Sequence, residues 1–105
     1  MNIRQDVSWY QGDALWVTRY NEAIWLAKNK QYTEAKTALS PILNDLQNPK
    51  KAEISELYGD LIFSTSGTLA DTLSMYERSL QFAPSERVST KIEYIKKLTT
   101  TLSGS

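Results

Sequence analysis

The stretch LSMYERSLQFAPSER, residues 73–87, decides the fold that the sequence predicts. Leu73, Tyr76, Leu80 and Ala83 follow one another at three or four residues, so on a helix they form one apolar stripe. A proline and a serine come directly after Ala83 and end this helix. Because the stripe must be covered, we expect the helix to pack against a second helix as one half of a hairpin.

The composition of the 105-residue chain limits the classes of function. Twelve basic and twelve acidic residues cancel and are interspersed, which argues against a nucleic-acid partner. The chain contains no cysteine and no histidine, so it lacks the commonest metal ligands, the commonest general base and thiolate nucleophiles. We therefore predict a protein that is not an enzyme, with no catalytic residues, no cofactor and no metal site.

The sequence also bears on the compartment. No apolar run approaches the roughly 20 residues of a membrane-spanning helix, and the N-terminus has no apolar core of a secretory signal. This predicts a cytoplasmic protein without direct membrane insertion. The alternative is a soluble domain of a membrane-anchored protein, since the first methionine and the SGS tail are equally compatible with a piece of something larger.

Helices are predicted throughout because glycine and proline are rare and strand-like alternation is missing. The predicted caps are Asp13, Asn48 and Thr68, and Thr68 forms a capping box with Asp71. Pro41 falls inside the second helix, where we expect a bend rather than an end because the apolar side continues to residue 46. The five predicted helices cover about residues 13–29, 32–46, 49–64, 68–83 and 86–98. The fifth is predicted to turn Val88, Ile92, Ile95 and Leu98 inward.

The predicted helices contain a sequence repeat. The small-then-large pair Ala35 and Leu39 recurs as Thr72 and Tyr76, about 37 residues later. Here the sequence resembles the tetratricopeptide repeat family, over residues 13–98. The residues that match the family's second unit are Tyr58, Gly59, Ile62, Thr72, Tyr76 and Pro84, and those that match the first unit are Tyr20, Asn21, Ala23, Leu26, Tyr32, Glu34 and Ala35.

The repeats are degenerate. Arg19 and Ser55 stand where the family usually has tryptophan, Thr72 and Ser79 replace small alanines, and Pro41 is foreign to the second helix of a unit. A generic helical bundle or another array of helical hairpins is the alternative interpretation of the same small-residue contacts.

The resemblance implies an all-α fold of antiparallel helix hairpins with about five helices, in a single domain over residues 1–105. Within the second unit, Tyr76 is predicted to fill the space between the two helices, where Ser79 permits a close approach. The predicted parts are an N-terminal segment 1–12, repeat 1 at 13–47, repeat 2 at 48–84, a capping helix at 85–99 and a flexible tail at 100–105. Because such arrays need about three units, the N-terminal segment, self-association or further repeats are expected to complete this one.

The resemblance also implies a function: a non-enzymatic interaction module that holds a partner protein segment in a concave groove lined by the first helices of the units. Glu53, Glu56 and Asp60 share one helical face, which suits a basic or amphipathic partner, unless it is a solvated acidic face partly neutralised by Lys50 and Lys51. The predicted binding residues are Tyr20, Asn21, Ile24, Trp25, Lys28, Glu53, Glu56, Asp60 and Lys91, and the implied lining also includes Val17, Leu57, Phe63, Ile92 and Ile95.

Trp25 is the sharpest candidate among them. Nine residues separate it from Trp16, which places the two on opposite sides of the first helix, with Trp25 among polar residues. Such a tryptophan is typical of an interface anchor, unless Ile3, Val7 and Trp9 fold over it. A second hypothesis is therefore a homo-oligomerising assembly domain that uses this helix, and a third is the soluble repeat portion of a larger cell-envelope or multi-protein complex component.

Overall fold

The computed structural model describes residues 14–102, and within them every regular element is a helix. The five helices are α1 Trp16–Lys28, α2 Tyr32–Leu43, α3 Lys51–Ser64, α4 Leu69–Phe82 and α5 Glu86–Leu102. The predicted all-α fold is thus confirmed for this part of the chain. Over the same residues, none of the helices combines the length and the apolarity that a membrane crossing requires.

Of the predicted caps, Thr68 is confirmed at α4, whereas the N-cap of α3 is Lys50 and not Asn48. The hydroxyl of Thr68 accepts a hydrogen bond of 3.0 Å from the backbone N–H of Asp71, as the predicted capping box requires. The side chain of Asn48 is buried and accepts a bond of 2.8 Å from the N–H of Lys50, but α3 begins only at Lys51 and not at residue 49. The third predicted cap, Asp13, lies outside the described residues.

The end of α2 differs from the prediction. The helix stops at Leu43, two residues after Pro41, and Leu46 is exposed rather than part of the buried side. Pro41 has no N–H to donate within the helix, and the carboxylate of Asp45 accepts a bond of 3.1 Å from the N–H of Gln47, which holds the chain in a turn. The expected bend with continuation to residue 46 was therefore wrong. At the other end of the molecule, α5 continues to Leu102, past the predicted limit of residue 99.

The α3–α4 hairpin is held by close contacts between small and large residues. The ring of Tyr76 is buried against Gly59, where a Cβ would come within 2.7 Å of the ring. Three residues further along α4, Ser79 Oγ donates a hydrogen bond of 2.8 Å to the backbone carbonyl of Ala52. As residue numbers fall along α3 they rise along α4, so the two helices are antiparallel. The predicted roles of Tyr76 and Ser79 in packing this hairpin are confirmed.

Consecutive helices pack on one another, and side-chain hydrogen bonds also link α4 to the end of α2 and α5 to α3. On one side, Arg78 of α4 donates to the carbonyl of Leu43 and to the side chain of Asn44, which joins α4 to the end of α2. On the other side, three side-chain pairs join α3 to α5 with a constant separation of 31 residues, so these two helices run in the same direction. The pairs are Glu56 with Arg87, Asp60 with Lys91 and Phe63 with Tyr94.

Two apolar cores result from this arrangement. The first joins α1, α2 and α3, and the second joins α4 and α5, where the predicted inward-facing residues of the fifth helix are found. The molecule measures 53 × 28 × 20 Å, which fits an open array of stacked helices better than a closed bundle. The first core contains Trp16, Ala23, Ala35, Leu39, Ile42, Ile54 and Leu61; the second contains Tyr76, Val88, Ile92 and Ile95, with Leu98 packed against it.

Candidate functional site

An ion-pair network joins α3 to α5 at the centre of the predicted binding face. Glu56 is only 7% exposed, and both of its carboxylate oxygens accept hydrogen bonds of 2.7 Å from the guanidinium of Arg87. Lys91 Nζ donates a further bond of 2.7 Å to the same carboxylate. Because Arg87 and Lys91 are four residues apart on α5, both cations lie on the face that meets α3.

Asp60, one turn after Glu56, completes the network. Both of its oxygens accept hydrogen bonds of 3.0 Å from Lys91 Nζ, and the hydroxyl of Tyr76 donates to one of them. Two carboxylates thus meet two cations, and their charges balance. Within the network Glu56 is buried, whereas the side chain of Arg87 is 64% exposed to solvent.

The electrostatics of the network fix its charge state around neutral pH. The hydrogen bond from Arg87 lowers the pKa of Glu56 to about 2, which outweighs the opposing effect of burial. For Lys91, burial alone lowers the pKa, but the hydrogen bonds to Glu56 and Asp60 prevail and raise it. Burial raises the pKa of Tyr76, and its hydrogen bond to Asp60 raises it further. At neutral pH the network is therefore a fixed link between α3 and α5.

This network changes the interpretation of the acidic face. Glu56 is buried and Asp60 is half-buried, and their ion-pair partners are Arg87 and Lys91 of α5 rather than the lysines that the sequence suggested. Lys51 instead donates to the carbonyl of residue 46 and lies over the ring of residue 82. Of the three predicted acidic residues, the half-buried Glu53 forms no ion pair within the described chain.

The pairing of Glu56 and Asp60 with α5 was not predicted because the neighbour of α3 is not visible in its own sequence. A signal did exist in the spacing: two acids four residues apart on one helix and two bases four residues apart on another can meet as two ion pairs. The predicted residue Lys91 therefore belongs to the face, as a link between helices.

The residues predicted on α1 divide into two groups. Asn21, Trp25 and Lys28 are exposed, and Trp25 keeps 61% of its surface in solvent. Trp16 is buried on the opposite side of the helix, which confirms the predicted orientation of the two tryptophans. The alternative prediction was that Ile3, Val7 and Trp9 cover Trp25. These three residues lie outside the described part of the chain.

Tyr20 and Ile24 are half-buried and turn toward the rest of the molecule. The ring of Tyr20 lies 6.4 Å from that of Trp16. Burial raises the pKa of Tyr20, and the negative charges of Glu53 and Glu56 raise it further. Residues of α1 and α3 also share the first apolar core. The structure thus brings α1, α3 and α5 together along one side of the molecule, which we call the odd-helix face.

An aromatic pair on this face was only half predicted. Phe63 of α3 and Tyr94 of α5 meet edge to face, with ring centroids 6.2 Å apart, and they are 41% and 54% exposed. Tyr94 was missed because the fifth helix was predicted only as a capping helix, with Val88, Ile92, Ile95 and Leu98 turned inward. The available signal was its position seven residues after Arg87, which matches the position of Phe63 seven residues after Glu56.

A shallow pocket opens beside this aromatic pair. It has a volume of about 320 Å³, and its walls are almost entirely apolar. Two residues implied for the groove behave differently here: Ile95 lines the pocket from the core, while Ile92 is buried in the second core. The lining residues are Phe63, Tyr76, Thr90, Lys91, Tyr94 and Ile95.

Exposed large apolar side chains concentrate on α1, α3 and α5. Six such residues occur among residues 14–102, and five of them lie on these three helices or directly before α1; the sixth, Leu46, lies in the loop before α3. The six are Leu15, Val17, Trp25, Leu46, Phe63 and Tyr94. Across the described ranges, no group of three or more acidic side chains converges as a metal ligand set would.

Comparison of the chain with protein-family models, with curated proteins and with solved structures gave no significant match. The class that the fold itself defines is an all-α array of stacked helices. Membership of the tetratricopeptide repeat family stays a prediction from the residues quoted above.

Proposed function

We propose that the protein is a non-enzymatic interaction module, tetratricopeptide-like in its repeats, that binds a segment of a partner protein on the odd-helix face. One observation carries the proposal: five of the six exposed large apolar side chains of residues 14–102 lie on α1, α3 and α5 or directly before α1. Exposed apolar surface that is concentrated on one side is typical of an interaction site. We propose the cytoplasm as the compartment.

The aromatic members of this set suit an anchoring role. Trp25, Phe63 and Tyr94 supply large contact areas with few rotatable bonds, and tryptophan and tyrosine are over-represented among residues that dominate binding energy. Asn21 lies between Val17 and Trp25 on α1, and its exposed amide can both donate to and accept from a partner backbone.

The ion-pair network supports this function indirectly. Because Glu56, Asp60 and Lys91 hold α5 beside α3, the surface that a partner meets is already assembled, and less conformational entropy is lost on binding. The basic partner that the acidic residues suggested has little to bind, since only Glu53 of those three residues forms no ion pair in the described part of the chain. The contacts that we propose are therefore mainly aromatic and apolar.

The experiment is an affinity capture from lysate of the source cell with the 105-residue chain as bait, read by mass spectrometry. The variant is Trp25→Ala, and its matched control is Leu46→Ala, because Leu46 is exposed to a similar extent, 58%, but lies off the three helices. We expect a protein that wild type and Leu46→Ala both retain and that Trp25→Ala loses. Equal retention or equal loss by the two variants would contradict the proposed face.

Self-association is the second candidate, and the exposure of Trp25 favours it as well. If α1 mediates contact between copies, the mass seen by light scattering falls with Trp25→Ala and not with Leu46→Ala. A monomer at high concentration for all three chains excludes this candidate and leaves the partner segment.

A further inference from the structure

Trp25 of α1 occupies a position that is covered in the other two odd-numbered helices. Ala23 of α1 and Gly59 of α3 are small, buried residues that match in the sequence repeat. Trp25 lies two residues after Ala23 and therefore corresponds to Leu61. The register between α3 and α5 carries Leu61 on to Ile92. Leu61 and Ile92 are 1% and 7% exposed, whereas Trp25 is 61% exposed.

The cover at the two equivalent positions comes from the helix that directly precedes in the chain. Leu61 of α3 shares the first core with Leu39 of α2. Ile92 of α5 shares the second core with Tyr76 of α4, and in both cases the two helices are consecutive and pack on one another. The piece of chain that directly precedes α1 contains residues 1–13, which lie outside the described part. By the same rule, this piece is the one that reaches the Trp25 side of α1.

The sequence of residues 1–13 repeats the spacing of the two covering helices. In α2 and in α4, three buried residues follow one another at intervals of four and then three residues. Ile3, Val7 and Tyr10 follow one another at the same intervals, which would place them on one side of a helix. The buried residues of α2 are Ala35, Leu39 and Ile42, and those of α4 are Thr72, Tyr76 and Ser79.

The length of the connection fits as well. The last buried residue of α2 lies 19 residues before Leu61, and the last buried residue of α4 lies 13 residues before Ile92. Tyr10 lies 15 residues before Trp25, which falls between these two lengths. The chain before α1 is therefore long enough to turn back and cover Trp25.

We propose that residues 3–10 pack as a helix on the Trp25 side of α1, in the way that α2 packs on α3 and α4 packs on α5. The occupant of this side is then a segment of the chain itself, so the inference goes beyond the proposed function. It makes the segment a competitor of the partner for Trp25. It leaves Phe63 and Tyr94 open to that partner, because they lie on α3 and α5.

The experiment measures how strongly acrylamide quenches the fluorescence of Trp25 in the full 105-residue chain. The background substitution Trp9→Phe leaves Trp16 and Trp25 as the two tryptophans, and Trp16 is only 6% exposed. In this background the test variant is Val7→Asp. The matched control is Gln5→Asp, which introduces the same residue about 160° around the proposed helix from Val7. Far-UV circular dichroism checks that the five described helices are retained in each protein.

Val7→Asp should raise the quenching constant about twofold or more, because burying an unpaired carboxylate in an apolar contact is costly and the segment then leaves Trp25. Gln5→Asp should change the constant by less than about 20%, since its side chain stays in solvent. Equal constants for the two variants would overturn the inference. A constant that rises on dilution would also overturn it, by assigning the cover to a second copy. No partner takes part in this measurement, so its failure leaves the proposed function standing, and the lysate capture tests that function separately.

Discussion

Arg87 of α5 donates two hydrogen bonds of 2.7 Å to Glu56 of α3, one to each carboxylate oxygen. The two residues are 31 positions apart in the sequence. The acid is buried and the base is largely in solvent. Exposed ion pairs usually contribute little to stability, but removing one partner of a buried charge leaves the other without compensation. The two ends of this pair are therefore not equivalent: loss of Arg87 leaves the buried carboxylate of Glu56 with Lys91 alone, whereas loss of the Glu56 charge leaves Arg87 in solvent but removes a partner from both cations.

Glu56→Gln should lower the free energy of unfolding by about 1–3 kcal/mol, because the amide keeps the shape of the side chain but removes the charge that Arg87 and Lys91 share. Urea denaturation followed by circular dichroism measures the change. Glu53→Gln is the matched control on the same helix, and we expect it to stay within about 0.5 kcal/mol of wild type. If the two variants were equally stable, the network would have no structural role.

Stability should also fall in acid because of Glu56. Its pKa lies at about 2 in the folded protein, below the ordinary value of 4.5, so the unfolded chain takes up this proton first. The contribution of Glu56 is therefore present above about pH 4.5 and is lost as the pH falls toward about 2, by at most about 3 kcal/mol since solvent screens the exposed Arg87.

The measurement is urea denaturation of wild type and Glu56→Gln at several pH values between about 2 and 7. The stability difference between the two proteins should be largest near neutral pH and should shrink in acid. A difference that does not depend on pH would show that the carboxylate is not held in its charged form by the fold.

Gly59→Ala tests the packing of the α3–α4 hairpin. Alanine is the better helix former by about 1 kcal/mol, but its Cβ would lie 2.7 and 2.8 Å from two ring carbons of Tyr76. That ring is buried and its hydroxyl is bound to Asp60, so it cannot move aside freely. We expect a net loss of about 1–3 kcal/mol in the free energy of unfolding.

A double-variant cycle with Tyr76→Leu separates the clash from other effects. Tyr76→Leu alone will itself be destabilising, but in that background the ring is absent and Gly59→Ala should be neutral or stabilising. The same loss in both backgrounds would mean that the ring contact is not its cause.

The parts of the fold that were predictable from the sequence are those set by local spacing. The stripe that contains Tyr76, the capping box at Thr68 and the inward side of α5 all depend on neighbours within a few residues, and the structure has all three. The end of α2 was misjudged because the turn at Asp45 competes with an apolar side that seemed to continue.

The candidate site was predictable only in part, for a different physical reason. Exposure of Trp25 follows from the polar residues around it on one helix. Pairing of Glu56 with Arg87, and of Phe63 with Tyr94, depends on the register between α3 and α5, which no spacing within either helix fixes. The charge that a partner meets is set by that register.

Ser55 offers a change that should stabilise the protein. Its hydroxyl is the one buried side-chain nitrogen or oxygen within residues 14–102 that has no hydrogen-bond partner. It lies one turn before Gly59 on α3, on the side that meets α4. Desolvating an unpaired polar group costs about 1–3 kcal/mol, and alanine is also the better helix former, so Ser55→Ala should raise the free energy of unfolding by about 1 kcal/mol or more.

Ser79→Ala is the matched control, because it removes a hydroxyl from a second buried serine in the same hairpin. That hydroxyl donates to the carbonyl of Ala52, and its loss should cost about 1 kcal/mol. The two substitutions are chemically identical, so opposite signs in urea denaturation can come only from the difference in hydrogen bonding. If Ser55→Ala destabilises as much as Ser79→Ala does, then Ser55 is not unpaired in solution and the contact between α3 and α4 at this turn is not the one described.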